Sequence, residues 1–255
     1  SFPFSHPATG ELIGAVAVCG AADATAAVEA AARAFPGCAA TSAQERSKLL
    51  RKWQELLVAN ADELAALLTA EMGKPLAEAK GEILYGASFI EWFAEEAKRV
   101  YGETVPGHQR DKRITVISQP IGVAASITPW NFPNAMITRK VGPALAAGCA
   151  YVARPAAEPP LSALALGVLA DRAGLPKGIL SIIPSSRSSD IGKEFCENPA
   201  VRKLTFTGST EVGRILLKQA ADQVMKCSME LGGNAPFIVF DDADLDAAVE
   251  GAMIS

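Results

Sequence analysis

The sequence has few of the residues that build metal centres and disulfide frameworks. Its 255 residues include 5 cysteines, with no CxxC pair, and 2 histidines. An odd number of cysteines without close spacing favours reduced thiols over a disulfide framework or a zinc site. Two histidines are too few for a histidine-rich metal cluster. We therefore predict a protein without a metal site.

Long apolar runs and an excess of basic charge are also missing. No apolar stretch approaches the roughly 20 residues that cross a bilayer, and residues 1–7 lack the basic and apolar regions of a signal peptide. Lys and Arg number 24 against 28 Asp and Glu, which gives a formal net charge of −4. This balance argues against binding to nucleic acid or to an anionic membrane surface. We expect an intracellular protein; the chain does not begin with Met, which is compatible with removal of a targeting peptide.

The composition that remains is typical of a globular protein. Hydrophobic residues make up 49% of the chain, charged residues 20% and aromatic residues 6%, outside the disordered and collagen-like ranges. The length suits one large domain or two ordinary ones.

The first third of the chain is predicted to be helical. Apolar residues recur there at helical spacing, and capping residues indicate where helices begin and end. The predicted helix starts are at Asp23, ahead of residues 24–35, at Ser42 with Glu45, and at Asn60 with Glu63. The helix that begins at Asn60 is predicted to end at Gly73, and Pro75 to start a helix that runs to about residue 100. Four aromatic side chains are expected to pack in the core or between helices: Trp53, Phe89, Trp92 and Phe93.

From residue 102 onward, short β-rich runs alternate with helical ones. We predict strands near 113–119, 121–127, 150–154, 179–183, 203–207, 224–229 and 236–240, and helices near 134–147, 160–173, 189–196, 210–221 and 244–253. This alternation implies parallel strands joined by right-handed crossovers. The predicted fold is α/β, a Rossmann-like parallel sheet with helices on both faces, preceded by an N-terminal helical region. Ligands of such a sheet bind beyond the carboxyl ends of its strands.

The segment TPWNFP, residues 128–133, directly follows one of these predicted strands. Its two prolines restrict the loop, and the side-chain amide of Asn131 can donate to an oxygen that becomes negative in a transition state. The alternative is a rigid connection in which Asn131 only caps the next helix. The sequence supports both interpretations equally.

Two further segments have the composition of a nucleotide site. The strand near 150–154 ends in Arg154, whose guanidinium could hold a ribose or phosphate, or could lie at the surface before a proline-stiffened loop. Residues 206–213, FTGSTEVG, join a strand to a helix whose free amides and dipole favour an anion such as pyrophosphate. The alternative for this segment is a plain helix cap, because it lacks the usual GxGxxG pattern.

Glu230 lies at the end of an apolar strand, ahead of Gly232 and Gly233. Burial of its carboxylate would raise the pKa toward the range of a general base. The alternative is a turn in which Glu230 is solvated. Cys227 lies three residues earlier and is predicted to point to the opposite face of the strand.

Taken together, ITPWNFP, FTGSTEVG and MELGGNAPFIVFDDADLDAA resemble the NAD(P)-dependent aldehyde dehydrogenase superfamily over essentially the whole chain. YGETVPGHQRDKR, PNAMITRKVGPALAAGC and IIPSSR are similar to its succinate-semialdehyde branch. The resemblance implies an aldehyde dehydrogenase fold of which this chain holds a part. Its implied divisions are residues 1–101 as the helical part of the cofactor-binding domain, 102–120 as bridging and oligomerisation strands, 121–232 as the dinucleotide-binding domain, and 233–255 as the start of the catalytic domain.

The resemblance also implies roles for individual residues. In the family a cysteine thiolate attacks the aldehyde, hydride passes to NAD or NADP, and water hydrolyses the acyl-enzyme. By position, Asn131 matches the residue that stabilises the oxyanion, Glu230 the general base, and Arg139 the group that binds the substrate carboxylate. The positions implied to contact the cofactor are Trp130, Arg154, Pro155, Ala156, Ala157, Gly208, Ser209, Thr210, Gly213 and Leu231. The alternative for Arg139 is a salt bridge on the helix surface.

Three departures from the family pattern have consequences. The basic residue at the strand end is usually Lys and here is Arg154, and the acid often found three residues later is replaced by Ala157. Loss of that carboxylate removes a repulsion against a 2′-phosphate, so tolerance of NADP is a hypothesis. The motif with the nucleophilic cysteine, which follows the Glu by a few tens of residues in the family, does not occur in residues 1–255. The chain by itself is therefore predicted to be inactive.

Three functional interpretations follow from these observations. In the first, the complete protein oxidises succinate semialdehyde to succinate, a step of 4-aminobutyrate degradation. In the second, it acts on another aldehyde, such as a longer semialdehyde. In the third, it is a catalytically inactive nucleotide-binding or structural protein. The resemblance further implies a homo-oligomer, a dimer or tetramer assembled partly through the strand near 113–119, in the mitochondrial matrix of a eukaryote or otherwise in the cytoplasm.

Overall fold

A computed structural model describes residues 1–254, in which a strand pair and four consecutive helices precede a second strand pair and a region where strands and helices alternate. The helices are α1 (Ala21–Ala39), α2 (Ala43–Ala59), α3 (Ala61–Met72), α4 (Leu76–Glu96), α5 (Ala135–Ala146), α6 (Leu161–Ala173), α7 (Ser188–Glu197), α8 (Thr210–Ala220) and α9 (Leu245–Ile254). The strands are β1 (Phe2–Ser5), β2 (Leu12–Val16), β3 (Glu103–Pro106), β4 (Arg113–Val116), β5 (Val123–Ile127), β6 (Ala150–Arg154), β7 (Leu180–Ile182), β8 (Val201–Gly208) and β9 (Lys226–Leu231).

A parallel sheet organises the part of the chain that follows β4. Its strand order is β7-β6-β5-β8-β9, and every neighbouring pair is parallel. The chain first adds β6 and β7 on one side of β5, then returns to add β8 and β9 on the other side. The strand order therefore reverses between β5 and β8, and a crevice forms there beyond the carboxyl ends. This topology confirms the predicted α/β class.

Helices cover both faces of the sheet. α5 and α6 pack on one face, backed by α2, α3 and α4, while α1, α7 and α8 pack on the other. Every residue of β5 and β6 is buried, as expected for central parallel strands covered on two sides. Trp53 of α2 is fully buried, and its indole Nε1 donates to the carbonyl of Leu166 at 3.2 Å.

A carboxylate from the N-terminal helices caps α6, the helix that connects β6 to β7. Glu71 of α3 is 6% exposed and accepts hydrogen bonds from the amides of Leu161 at 2.6 Å and Ser162 at 2.7 Å. Its charge lies at the positive end of the α6 dipole. Burial raises the pKa of Glu71, while the hydrogen bonds from Ser162 and Leu161 act in the opposite direction.

Two of the predicted helix ends are confirmed. Ser42 and Glu45 form the reciprocal capping box at the start of α2. Gly73 ends α3 with φ of 83°, in the left-handed region that glycine adopts at low cost.

Two other capping predictions are wrong. Asp23 is not the N-cap of α1: Gly20 is, and the Asp23 carboxylate accepts from the Gly20 amide at 2.8 Å. Asn60 makes no side-chain cap for α3, because its amide donates instead to the carbonyl of Leu56 at 2.7 Å. Asn60 alone separates α2 from α3, and its side chain serves the helix that ends there.

The strand predictions are wrong at both ends of the chain. The antiparallel pair β1–β2 lies in the first third of the chain, which is predicted to be helical. Residues 236–240 form no strand, and the side chain of Ile238 is 67% exposed. An apolar run becomes a strand only when a neighbour pairs with it, and no described residue does so here. The strand expected near 113–119 is shorter, Arg113–Val116, and pairs with the unpredicted Glu103–Pro106.

The prediction that Trp92 packs in the core or between helices is also wrong, since this residue of α4 is 64% exposed. No helix among residues 1–254 is both long and apolar enough to cross a membrane.

Candidate functional site

The strand register places the predicted site segments side by side. The residue pairs at the carboxyl edge are Ile127 with Arg154, Ile127 with Phe206, Thr207 with Glu230, and Gly208 with Leu231. The loop at residues 128–133 and the start of α8 therefore flank the crevice where the strand order reverses. Segments that are widely separated in the sequence converge at this one edge.

The start of α8 combines a cap with free backbone donors. Ser209 is the N-cap, and its Oγ accepts from the amide of Val212 at 3.3 Å, so the cap interpretation is correct for this residue. The first amides of a helix still lack intrahelical acceptors, which leaves room for an anion. A Cβ on Gly213 would lie 2.6 Å from Cδ2 of Leu231, so glycine permits α8 to pack on the end of β9. Thr210 Oγ1 donates to the carbonyl of Gly232 at 3.3 Å.

Arg154 is a buried cation and not a surface residue. It is 6% exposed, and its Nη2 donates to the carbonyl of Ser185 at 2.7 Å and to Oγ of Ser188. Its Nε has no partner, and no carboxylate within residues 1–254 forms an ion pair with it. Burial lowers the pKa of Arg154 to about 10. The surface interpretation is therefore wrong, and this guanidinium lacks a counter-charge in the described chain.

The remaining positions of the Arg154 turn are small and largely buried. Ala156 is 9% exposed, and Pro155 and Ala157 are buried and half-buried respectively. Side chains of this size add little bulk at this edge of the sheet.

Glu230 lines an open cavity of about 600 Å³. The other lining residues are aromatic, cationic or small: Phe89, Trp92, Phe93, Arg139, Lys140, Pro143, Lys203, Thr205 and Ser228. Glu230 itself is exposed, so residues 1–254 do not bury its carboxylate as the general-base interpretation expects. Cys227 packs against the hydrophobic core, which confirms that it faces away from Glu230.

Lys140 is a site residue that the sequence interpretation missed. It is 9% exposed on α5, and its Nζ donates to Oγ1 of Thr205 at 3.2 Å. Burial lowers the pKa of Lys140 to about 8; the Glu230 carboxylate opposes this shift, and the charges of Arg139 and Lys203 add to it. The available signal was a charged residue among the apolar positions of an amphipathic helix.

Arg139 neighbours Lys140 on α5 and is held by aromatic side chains of α4. Its Nη2 donates to the hydroxyl of Tyr85 at 2.9 Å, and its guanidinium carbon lies 4.7 Å from the centre of the Phe89 ring. No carboxylate of the described chain pairs with Arg139, so the helix-surface salt bridge is not formed. The half-buried Phe89 packs between helices as predicted.

Asn131 lies in an exposed loop that is anchored through its backbone. Its carbonyl accepts from Nζ of Lys74 at 2.8 Å. The cap interpretation is wrong, because α5 has Asn134 at its N-cap position. The carboxylate of Glu82 accepts from the amides of Asn134 at 2.9 Å and Ala135 at 3.3 Å. Trp130, beside Asn131, is 62% exposed.

The thiols of the described chain are not activated. Burial raises the pKa of all five cysteines, and that of Cys196 rises to about 11. Since the thiolate is the reactive form of cysteine, none of these residues has the environment of a catalytic nucleophile.

Comparison with known proteins identifies the family. The sequence profile described as "Aldehyde dehydrogenase family" matches residues 1–255. The chain belongs to the aldehyde dehydrogenase family. It is 64% identical to the glutarate-semialdehyde dehydrogenase of Pseudomonas aeruginosa, an alignment that covers 98% of this chain and 52% of the relative. It is 61% identical to the succinate-semialdehyde dehydrogenase [NADP(+)] GabD of Escherichia coli, again over 98% of this chain and 52% of the relative.

A solved structure shows the same fold for this aldehyde dehydrogenase chain. The crystal structure of succinate-semialdehyde dehydrogenase from Burkholderia pseudomallei superposes with a TM-score of 0.96 at 61% identity, covering 100% of this chain and 52% of that one. The chain thus spans about half the length of the relatives it matches.

Proposed function

We propose that the complete protein oxidises a short aldehyde that carries a terminal carboxylate, with succinate semialdehyde as the substrate and NAD or NADP as the hydride acceptor. The guanidinium of Arg139 carries this proposal. It lines the same cavity as Glu230, it is oriented by aromatic groups, and no described carboxylate forms an ion pair with it. A substrate carboxylate would supply that missing partner.

Three residues of this chain then have separate roles in the reaction. The side-chain amide of Asn131 donates to the aldehyde oxygen as negative charge develops on it. Glu230 accepts a proton from the attacking thiol and later from the hydrolytic water. The thiohemiacetal and the thioacyl-enzyme would form on a cysteine that is not among the five of residues 1–255. Lys140 contributes a positive charge beside the Glu230 carboxylate.

The carboxyl edge of the sheet fits a dinucleotide. The amides at the start of α8 suit its pyrophosphate, and Arg154 is a buried cation without a counter-charge. We place the cofactor against Trp130, the turn Arg154–Ala157, the helix start Gly208–Gly213, and Leu231. When bound there, the cofactor would supply the acceptor for the hydride that leaves the substrate carbon.

Substitution of Arg139 tests the substrate class. In the complete enzyme, Arg139→Ala should lower kcat/KM for succinate semialdehyde by roughly 100-fold, because a charged hydrogen-bonding partner is lost, and should change it little for an uncharged aldehyde. Arg172→Ala, at an exposed position of α6, is the matched control. Equal losses for both aldehydes would refute a role for Arg139 in binding the carboxylate.

Glutarate semialdehyde is the second candidate substrate, since a relative at 64% identity bears that name. The two semialdehydes differ by one methylene, which a pocket can discriminate by about 10- to 200-fold in kcat/KM. The ratio of kcat/KM for the two compounds therefore selects between them. A complete protein that oxidises neither of these nor any other aldehyde would favour the non-catalytic interpretation.

We also propose that NADP is accepted alongside NAD. The support is Arg154, a cation without a counter-charge, together with Ala157, which presents no carboxylate to a 2′-phosphate. Ala157→Glu should raise the KM for NADP at least about 10-fold and leave the KM for NAD nearly unchanged. In the unmodified enzyme, a kcat/KM with NADP that is much lower than the kcat/KM with NAD would contradict this proposal.

Assembly into a homo-oligomer, dimer or tetramer, is a further part of the proposal. The pair β3–β4 is exposed along almost all of its length, including Ile114 at 39% and Val116 at 49%. Sedimentation of the complete protein, compared with an Ile114→Asp and Val116→Asp variant, should show a loss of the oligomer.

A further inference from the structure

We propose that the buried ion pair of Lys74 and Glu82 is a positioning device that holds Asn131 for oxyanion stabilisation. This inference depends on the role proposed above for Asn131. The pair lies where α3 is joined to α4. Its Lys74 contacts the loop that follows β5. Within residues 1–254, none of the hydrogen bonds of the two side chains joins a residue proposed to bind the cofactor.

Glu82 provides the fixed end of this device. Its side chain is fully buried at 0% exposure, and its two carboxylate oxygens have different partners. Oε1 accepts from the amides of Asn134 and Ala135 at the start of α5, and Oε2 accepts from Nζ of Lys74. One carboxylate therefore joins α4, α5 and the segment between α3 and α4.

Lys74 provides the contact with the loop. Its side chain is 8% exposed, and its Nζ donates to the carbonyl of Asn131 at 2.8 Å. The same Nζ lies 3.9 Å from the centre of the Phe132 ring, at cation–π distance. Two consecutive loop residues are thus held by a single ammonium group.

The backbone on both sides of Lys74 limits where that ammonium can go. Gly73 adopts φ of 83° directly before it, and Pro75, whose ring restricts φ, directly follows. Lys74 is also bound to a side chain that cannot move without uncapping α5. The carbonyl of Asn131 is therefore tied to the rigid helical layer, while its side-chain amide makes no hydrogen bond within residues 1–254 and can face a ligand.

This arrangement can act on the reaction as well as on stability. An oxyanion donor contributes when it is already at the position that the developing charge will occupy. Displacement of a positioned group by about 1 Å can lower a rate about 100-fold. A tether on the backbone of Asn131 should therefore affect kcat more than binding of the aldehyde or the cofactor.

The test is a double-mutant cycle in the complete enzyme. The first variant combines Lys74→Met with Glu82→Gln: it leaves no unpaired buried charge and retains a carbonyl acceptor for the amides of α5. The second variant is Asn131→Ala, and the third combines all three substitutions. Lys80→Met is the matched control, because Lys80 of α4 forms an exposed ion pair with Asp62 of α3, at 2.6 Å.

We expect the charge-neutral pair variant to lower kcat at least about 10-fold, with KM for the aldehyde and Kd for the cofactor changed less than about threefold. In the Asn131→Ala background the same substitutions should lower kcat less than about twofold, and Lys80→Met should leave kcat unchanged. Equal losses with and without Asn131, or no loss of kcat, would overturn the inference. If Asn131→Ala alone is fully active, the proposed function of Asn131 fails instead.

Hydrogen exchange gives a readout that does not depend on activity. The amide of Met136 donates to the carbonyl of the loop residue Phe132 at 3.0 Å, and it should exchange at least about 10-fold faster in the Lys74→Met, Glu82→Gln variant, because the tether that orders the loop is gone. Lys80→Met should leave its exchange unchanged. Unaltered exchange in the pair variant would show that the ion pair does not hold the loop and would overturn the inference even if activity were absent.

Discussion

The guanidinium of Arg139 donates a hydrogen bond to the hydroxyl of Tyr85, with 2.9 Å between Nη2 and the oxygen. The two residues lie on different helices, α5 and α4, and the Phe89 ring contacts the same guanidinium from the next turn of α4. These aromatic partners orient the guanidinium and do not neutralise its charge. Arg139 therefore stays available to an anionic group of a ligand.

This contact predicts a selective effect for Tyr85→Phe in the complete enzyme. Loss of the hydroxyl removes one neutral acceptor for a charged donor, so KM for a carboxylate-bearing aldehyde should rise about 3- to 10-fold. KM for an uncharged aldehyde should stay unchanged. Tyr101→Phe, at a residue that is 73% exposed, serves as the control in the same steady-state assay. Equal increases for both aldehydes would argue that Tyr85 shapes the pocket without orienting Arg139.

Two glycines of α4 should respond in opposite directions to the same substitution. A Cβ on Gly86 would lie 2.2 Å from Oδ1 of Asn134 and 3.1 Å from Oγ1 of Thr138, so Gly86→Ala forces α4 away from α5. We expect a loss of roughly 1–3 kcal/mol in the free energy of unfolding. Gly81 has nothing within 4 Å of its Cβ position, and Gly81→Ala should add up to about 1 kcal/mol. Urea unfolding measures both; a stabilised Gly86→Ala variant would contradict the close approach.

Glu71 should matter to stability far more than a neighbouring carboxylate on the same helix. Glu71→Ala leaves the half-buried amide of Leu161 and the buried amide of Ser162 without acceptors, and we expect a loss of about 2–4 kcal/mol in the free energy of unfolding. Glu63→Ala, at an exposed position of α3, should stay within about 0.5 kcal/mol of the unmodified protein. Similar losses in the two variants would show that capping of α6 is not the cause.

Lys140 predicts a pH dependence of stability. Its pKa in the folded state is about 8, below the ordinary value of 10.5, so between these values the folded protein has released a proton that the unfolded chain retains. The contribution of Lys140 to the free energy of unfolding should therefore increase as the pH rises from about 8 toward 10.5. Below pH 8 the folded protein bears the full cost of burying the charge. Lys140→Met lacks this contribution.

The measurement compares urea unfolding of the two proteins at pH 7 and pH 9. The unmodified protein should become more stable relative to Lys140→Met at the higher pH. A difference between the two proteins that does not change with pH would mean that Lys140 titrates as an exposed lysine.

Local sequence patterns were sufficient where the physical cause is local. The capping box of Ser42 and Glu45 and the left-handed turn at Gly73 depend on residues a few positions apart, and both were predicted correctly. The alternation of strands and helices predicted a parallel sheet for the same reason. Residues 236–240 failed because a strand needs a partner, and the apolar run carries no information about one.

The sequence by itself determined the α/β class, the family and the order of the segments that meet at the carboxyl edge. Only the tertiary structure decided that Arg154 is buried without a counter-charge, that Lys140 is desolvated beside the Glu230 cavity, and that Glu82 links α5 to Lys74. Burial, loss of solvation and hydrogen bonding between distant segments depend on which residues packing brings together, and linear spacing does not contain that information.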